Sequence, residues 1–276
     1  MRVLRRAAGP GRRGAETGAR LSSVGEASTP PLLEARGLVR EYSGLAAVDG
    51  IDLALPAGAF LVVFGPNGAG KTSLLRMLAG GLRPTRGEVL LGGVPLQPGS
   101  PRGRERIGVL SHQTYLYGHL TARENLRFYG RLYGLAQLDD RVDAGLAQVG
   151  LRARAGDCVQ TFSRGMRQRL GLARTLLHDP ELVLLDEPYT GLDAHAAAVL
   201  REVLTALHDG RRTVVLVTHN LTQGLELADR AAIQVRGRFA WEGRTSSVRA
   251  HEFEVFYQET VDRVEGGLSG AAGARA

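Results

Sequence analysis

The stretch Gly65-Pro66-Asn67-Gly68-Ala69-Gly70-Lys71-Thr72-Ser73 follows directly on the apolar run Ala59-Phe60-Leu61-Val62-Val63-Phe64. The order reads as a strand, a glycine-rich loop and a helix that continues through Leu74-Leu75-Arg76-Met77-Leu78. Glycines in such a loop let the backbone turn tightly and aim successive N–H groups inward, forming a nest whose partial positive charge suits phosphate oxygens. The dipole of the helix beginning near Lys71 adds to it. The pattern G-x-x-x-x-G-K-[ST] assigns Lys71 to the β- and γ-phosphates of a nucleotide and the Thr72 hydroxyl to a Mg²⁺ ion. A bare turn before a helix is the alternative. The buried-type strand before the loop and the apolar helix after it are the context the phosphate-binding reading requires, so Gly65 through Ser73 are taken as the candidate nucleotide-binding loop.

Composition reinforces the assignment. The 35 basic residues comprise a single lysine, Lys71, and otherwise arginine. A compact ammonium on a flexible stem fits inside a phosphate cradle where a planar guanidinium fork would not. The net charge of +7 could point to nucleic acid or an anionic membrane surface. However, residues 1–30 hold six arginines against Glu16 and Glu26, so much of the excess belongs to an Arg/Gly-rich extension over residues 1–31, expected to be disordered. No nucleic-acid partner is expected. The single cysteine, Cys158, excludes an intramolecular disulfide framework. No apolar run approaches the ~18 residues of a membrane span, so a membrane role must be borrowed from a partner.

Beyond the extension, residues 32–42 and 46–55 read as two strands turning at Ser43-Gly44, and 88–91 and 107–110 as further strands. Residues 92–106 read as an exposed connection. Thr121-Ala122-Arg123-Glu124 resembles a capping box and opens a helical pattern, so a helical subdomain with its own small core is expected over about 114–165. Leu182-Val183-Leu184-Leu185 and Thr213 to Val217 are continuous apolar runs of the kind found in parallel sheets, and a hairpin is expected near Arg236-Gly237. Residues 246–276 are expected to form a C-terminal helix or tail.

Three polar groups fall just past the ends of apolar strands: Gln113, Asp186-Glu187 and His219. In an open α/β sheet that edge binds ligands, and the phosphate loop lies along it. Asp186 can hold Mg²⁺, and Glu187 is placed to orient or deprotonate an attacking water. Gln113 could join the metal and the water, and His219 could hydrogen-bond the γ-phosphate. Each of these two, taken alone, also has a structural reading, and Tyr42 could either stack on an adenine ring or pack in a sheet.

In order along the chain, Tyr42, the loop 65–72, Gln113, the helical stretch, Phe162-Ser163-Arg164-Gly165-Met166, Asp186-Glu187, Gly191-Leu192-Asp193 and His219 resemble the ATP-binding cassette ATPases over residues 32–245. The resemblance implies a P-loop NTPase core of the α/β class, with a mostly parallel sheet, an antiparallel β subdomain and a helical subdomain insertion. It implies ATP and Mg²⁺ as cofactors, with Thr72, Gln113 and Asp186 at the metal and Glu187, His219 and Gln113 as catalytic residues. It also implies a head-to-tail dimer in which Ser163 and Gly165 of one copy cap the γ-phosphate held by Lys71 of the other. Arg164 and Met166 depart from the family's usual Leu-Ser-Gly-Gly-Gln, which puts the fine geometry of that interface in question.

The expected role is the ATP-hydrolysing motor of an exporter, docked on transmembrane permease subunits near Gln113 and the helical insertion, at the cytoplasmic side of the inner membrane. The stretch Ser111 to Tyr129 resembles the ATP-binding subunits of haem exporters of cytochrome c maturation. Drug, antibiotic or lipid exporters share much of the pattern, and a soluble cassette protein acting on ribosomes or DNA is the alternative of another class.

Overall fold

The computed structural model describes residues 30–266 apart from His112. The extension expected over 1–31 therefore falls, up to residue 29, outside the described residues, as do residues 267–276. Two sheets organise the rest. In the first, β1 (Leu33–Tyr42), β2 (Leu45–Leu55), β4 (Arg86–Leu91) and β5 (Val94–Pro95) run antiparallel in the order β2-β1-β4-β5. In the second, the order is β10-β9-β3-β8-β7-β6, built from β3 (Phe60–Phe64), β6 (Ile107–Leu110), β7 (Leu182–Asp186), β8 (Thr213–Val217), β9 (Arg230–Val235) and β10 (Arg238–Arg244). Pairing is parallel from β9 to β6, and β10 closes the edge as an antiparallel hairpin through Arg236-Gly237.

The central strands β3, β7 and β8 are buried at every position, and apolar apart from Asp186 and Thr213, because both faces of the parallel sheet are covered. Alternation divides β3: Phe60, Val62 and Phe64 enter one core, and Leu61 and Val63 the other. The second core is completed by Leu74, Leu75, Met77 and Leu78 of α1 (Lys71–Leu78) together with Leu33, Leu38 and Ile51 of the antiparallel sheet. That packing fixes the antiparallel sheet beside the start of α1.

The first core holds α5 (Arg164–Leu176), α6 (Ala194–Leu207) and α7 (Leu221–Leu227), and it continues without a break into the insertion. There, Leu126 of α3 (Ala122–Leu132) and Val142 and Leu146 of α4 (Leu138–Gln148) join Leu170 and Leu172 of α5 in one buried cluster. The separate small core expected for the insertion does not form, because α5 packs on the sheet and on α3 and α4 at once. Residues 113–121 carry no helix, and the capping box sets the start of α3: Thr121 Oγ1 accepts from Glu124 N at 3.2 Å, and Thr121 N donates to Glu124 Oε2 at 2.8 Å.

Residues 92–106, read from sequence as a plain connection, contain β5 and the short helix α2 (Pro101–Arg106), which starts on a proline whose missing N–H costs nothing at that position. At the other end, α8 (Ala250–Gly266) buries Phe253 completely, with its ring 5.4 Å from Phe64 and 5.8 Å from Trp241. Residues 246–266 thus pack on the same core as the phosphate-loop strand.

Candidate functional site

The loop between β3 and α1 is held by close backbone approach. Gly70 sits at φ 96°, and a Cβ there would lie 1.8 Å from the Ala47 carbonyl oxygen of β2. Any side chain would push the loop off the antiparallel sheet. Lys71 begins α1 and is only 8% exposed. Its Nζ donates to Gly65 O at 2.7 Å and to Pro66 O at 2.9 Å. Burial pushes the ammonium below its usual value, and the charges of Glu187 and Asp186 oppose that. An ammonium has three donors, so one remains for a phosphate oxygen after the two loop carbonyls are served.

Around Lys71 lies an open cavity of about 320 Å³ lined by Asn67, Gly68, Gly70, Thr72, Asp186 and Glu187. Thr72 Oγ1 donates to Asp186 Oδ2 at 3.1 Å, bringing a hydroxyl from α1 and a carboxylate from the end of β7 together. Among the described residues no group of three His, Cys, Asp or Glu can hold a metal ion on its own. A hydroxyl and a carboxylate fit a hard cation that takes its remaining oxygens from phosphate and water, as Mg²⁺ does beside a nucleotide. When bound there, Mg²⁺ supplies charge neutralisation of the phosphate oxygens.

Glu187 follows Asp186 at φ 50°, a left-handed conformation that a non-glycine residue rarely adopts. Its backbone N–H donates to Val217 O at 2.8 Å, tying the turn to the end of β8. The next element brings in His219, whose Nδ1 stands 2.8 Å from Glu187 Oε2, a hydrogen bond in the Nδ1-protonated tautomer. Strain of this kind at a strand end aims a side chain where an extended backbone would not. Glu187 and His219 thus meet beside the phosphate loop.

The other expected residues divide into two groups. Gln113 is exposed and lines a second cavity, of about 570 Å³, together with Thr72 and Asp186. Tyr42 ends β1 with 42% of its surface exposed, its hydroxyl drawn toward acidity first by a hydrogen bond with Ser73 and its ring covered by the Arg40 guanidinium at 4.6 Å. It sits at the start of α1 and outside the core. Ser163 and Gly165, by contrast, line neither cavity. Ser163 caps α5, accepting from Met166 N at 3.2 Å, and Gly165 lets α5 approach α6 so closely that a Cβ would lie 2.5 Å from Ala196 Cβ.

Three features escaped sequence reasoning. The Ala47 carbonyl braces Gly70, and nothing in a β2 alanine signals it. Arg164 lays its guanidinium against Gly191, at φ 73°, where a Cβ would come 2.5 Å from Arg164 Cζ. The signal was present in the unusual Arg164, but its partner was not. Tyr115 and Arg174 line the second cavity, and the aromatic run 115–129 was the only hint.

Comparison with known proteins agrees with this geometry. A family model described as ABC transporter matches residues 48–190. The chain is 38% identical over 215 residues to a Nod factor export ATP-binding protein I of Cupriavidus metallidurans, covering 77% of this chain and 71% of that protein. It is also 38% identical over 220 residues to the daunorubicin/doxorubicin resistance ATP-binding protein of Streptomyces peucetius, covering 79% and 67%. A spermidine/putrescine import ATP-binding protein of Pseudomonas aeruginosa shares 38% identity over 76% of this chain and 58% of its own length. Among solved structures, an ATP-binding subunit of an ABC transporter superposes with a TM-score of 0.74 at 26% identity, over 83% of this chain and 99% of that one. The P-loop α/β fold and the sequence agree, and the chain belongs to the ABC transporter family, as an ATP-binding subunit.

Proposed function

We propose that this chain is the ATP-hydrolysing motor of an exporter of drug-like, antibiotic or lipid-like molecules. The observation that carries the hydrolytic part is the Glu187–His219 pair, a carboxylate held at a strained strand end beside Lys71 and the Thr72–Asp186 pair. Lys71 and the loop amides bind the β- and γ-phosphates. Glu187 takes a proton from the attacking water, or orients that water; His219 holds the carboxylate through Nδ1–H and, when both ring nitrogens carry protons, donates Nε2–H to the γ-phosphate. Gln113 joins the metal side, and Tyr42 offers its exposed ring to the adenine.

Ser163 and Gly165 are absent from the walls of the cavity around their own Lys71, so they serve a second copy in a head-to-tail dimer, the α5 N-terminus facing the partner's γ-phosphate. Among the described residues no helix is long and apolar enough to cross a membrane, so transport requires transmembrane permease subunits, with this chain on their cytoplasmic side. The export direction and cargo class are supported by the Nod factor and daunorubicin/doxorubicin relatives; a polyamine importer is an equally identical relative. The haem-export reading rests on the Ser111–Tyr129 stretch alone and comes second.

Two measurements test the reading. Glu187→Gln is expected to bind ATP while releasing phosphate about 10²-fold or more slowly than the parent, accumulating as a closed dimer. Turnover like the parent's would remove Glu187 from the water site. Inverted vesicles holding the chain and its permease are expected to accumulate an anthracycline on ATP addition; ATP-driven uptake of haem instead would select the second reading.

A further inference from the structure

Of the five buried residues of β9, four are apolar and the fifth is Gln234. Alternation along the strand sends Ala231, Ile233 and Val235 into the first core and Ala232 into the second, the one that α1 covers. Gln234 follows Ala232 on that second face and is completely buried. Its cross-strand neighbour on β10 is Phe239, which gives it no polar partner. Among the described residues neither its Nε2 nor its Oε1 has a hydrogen-bond partner. A buried amide whose hydrogen-bonding groups are all unused is costly, and a methionine or leucine would fill the same space without that cost.

The position of Gln234 in the sheet points to the reason. β3 and β9 run parallel with Phe64 opposite Ile233, so β3 passes into the phosphate loop beside Gln234. The first glycine of the loop lies on its backbone: a Cβ at Gly65 would stand 2.1 Å from Gln234 O. The last lies on its side chain: a Cβ at Gly70 would stand 3.0 Å from Gln234 Nε2. Both ends of the loop thus rest on one residue. The hairpin that follows grips the loop as well, Gly237 N donating to Ala69 O at 2.9 Å. Gln234 itself lines neither cavity, so it reaches the loop from beneath and leaves the nucleotide untouched.

We propose that Gln234 is a positioning residue for phosphate binding, whose amide hydrogen-bonds the loop backbone at the Ala69–Gly70 end when the loop closes on phosphate. The proposal rests on the reading of Gly65 to Ser73 as a phosphate loop. A primary amide offers two N–H donors and a carbonyl acceptor, so it can serve a peptide N–H and a peptide C=O together. With Nε2 standing against Gly70, a small shift of the loop is enough to make the contact. The amide is unsatisfied in the loop conformation described and satisfied in the closed one, so its hydrogen bonds favour the closed conformation alone. Phosphate therefore binds more tightly than it would above an apolar floor.

The test compares the full chain with Gln234→Met, which keeps the length of the side chain and removes its hydrogen-bonding atoms. Thermal melting is read without nucleotide, and affinity is read by titration with Mg-ATP and with magnesium tripolyphosphate. Gln234→Met is expected to melt at or above the parent's temperature, because no unpaired amide remains in the core, and yet to bind both ligands about tenfold more weakly. An equal loss for the two ligands assigns the effect to the phosphate loop. Parent-like affinity in Gln234→Met, whatever its melting temperature, would overturn the proposal. A fall in stability and affinity together would do the same, since a residue that only holds the fold behaves in that way. Weaker binding of Mg-ATP with unchanged binding of tripolyphosphate would also overturn it, by moving the effect to the adenine end. If the parent binds neither ligand, the phosphate-loop reading falls and the proposal with it.

Discussion

Lys71 is the one lysine in a chain that otherwise uses arginine, and its surroundings give the reason. Its ammonium sits between two loop carbonyls less than 3 Å away, at Gly65 and Pro66, in a space that a guanidinium fork cannot enter without breaking both contacts. Lys71→Ala and Lys71→Arg are therefore both expected to lower ATP turnover by about 10²–10³-fold, measured as phosphate release with saturating Mg²⁺ and ATP. A Lys71→Arg variant that hydrolysed ATP normally would show that charge alone suffices and that the cradle's shape is incidental. Gly70 is constrained from the opposite direction. Gly70→Ala must move either the loop or β2 to relieve the contact with Ala47 O, and a lowered melting temperature together with weaker binding of a fluorescent ATP analogue is the expected result.

At the scale of elements, α3 shows how a local signal sets a boundary. Thr121 and Glu124 satisfy each other's backbone N–H groups, and the helix starts where that box places it. Thr121→Ala is expected to cost about 1 kcal/mol in chemical denaturation. The Glu124 carboxyl is held below its usual range, first by the Thr121 backbone and then by the Thr121 hydroxyl. A carboxylate lowered on folding stabilises above its unfolded value and loses that contribution as pH falls through the lower, folded one. The gap in melting temperature between parent and Glu124→Gln should thus be widest near neutrality and close under acid conditions. A gap independent of pH would mean that the box acts through shape and not through charge. The apolar residues that follow were less informative. Phe128 and Leu132 stand four residues apart on one face of the helix, yet both are exposed, because buried Leu126 lies on the opposite face and α3 packs on α4 and α5 over a narrow stripe only.

At the scale of the whole molecule, the phosphate loop is held from three directions: by β3 beneath it, by the antiparallel sheet through Ala47, and by α8, whose Phe253 packs on Phe64 at the end of β3. Phe253→Ala is expected to destabilise the chain by about 3–5 kcal/mol, read from denaturant unfolding, although it lies nearly two hundred residues from the loop in sequence. An unchanged midpoint would mean that α8 is an appendage. The loop, the strand ends carrying Asp186, Glu187 and His219, and the helix beginning at Ser163 were legible in the sequence, because each is a local pattern of glycines, apolar runs and caps whose meaning needs no distant partner. The bracing of Gly70 by β2, the union of the helical insertion with the main core, Arg164 against Gly191, and the meeting of Arg174 with Tyr115 were not. These are contacts between segments far apart in the chain, and only the packing of the two sheets on α1 and of α5 between the parallel sheet and the helical insertion decided which side chains would meet.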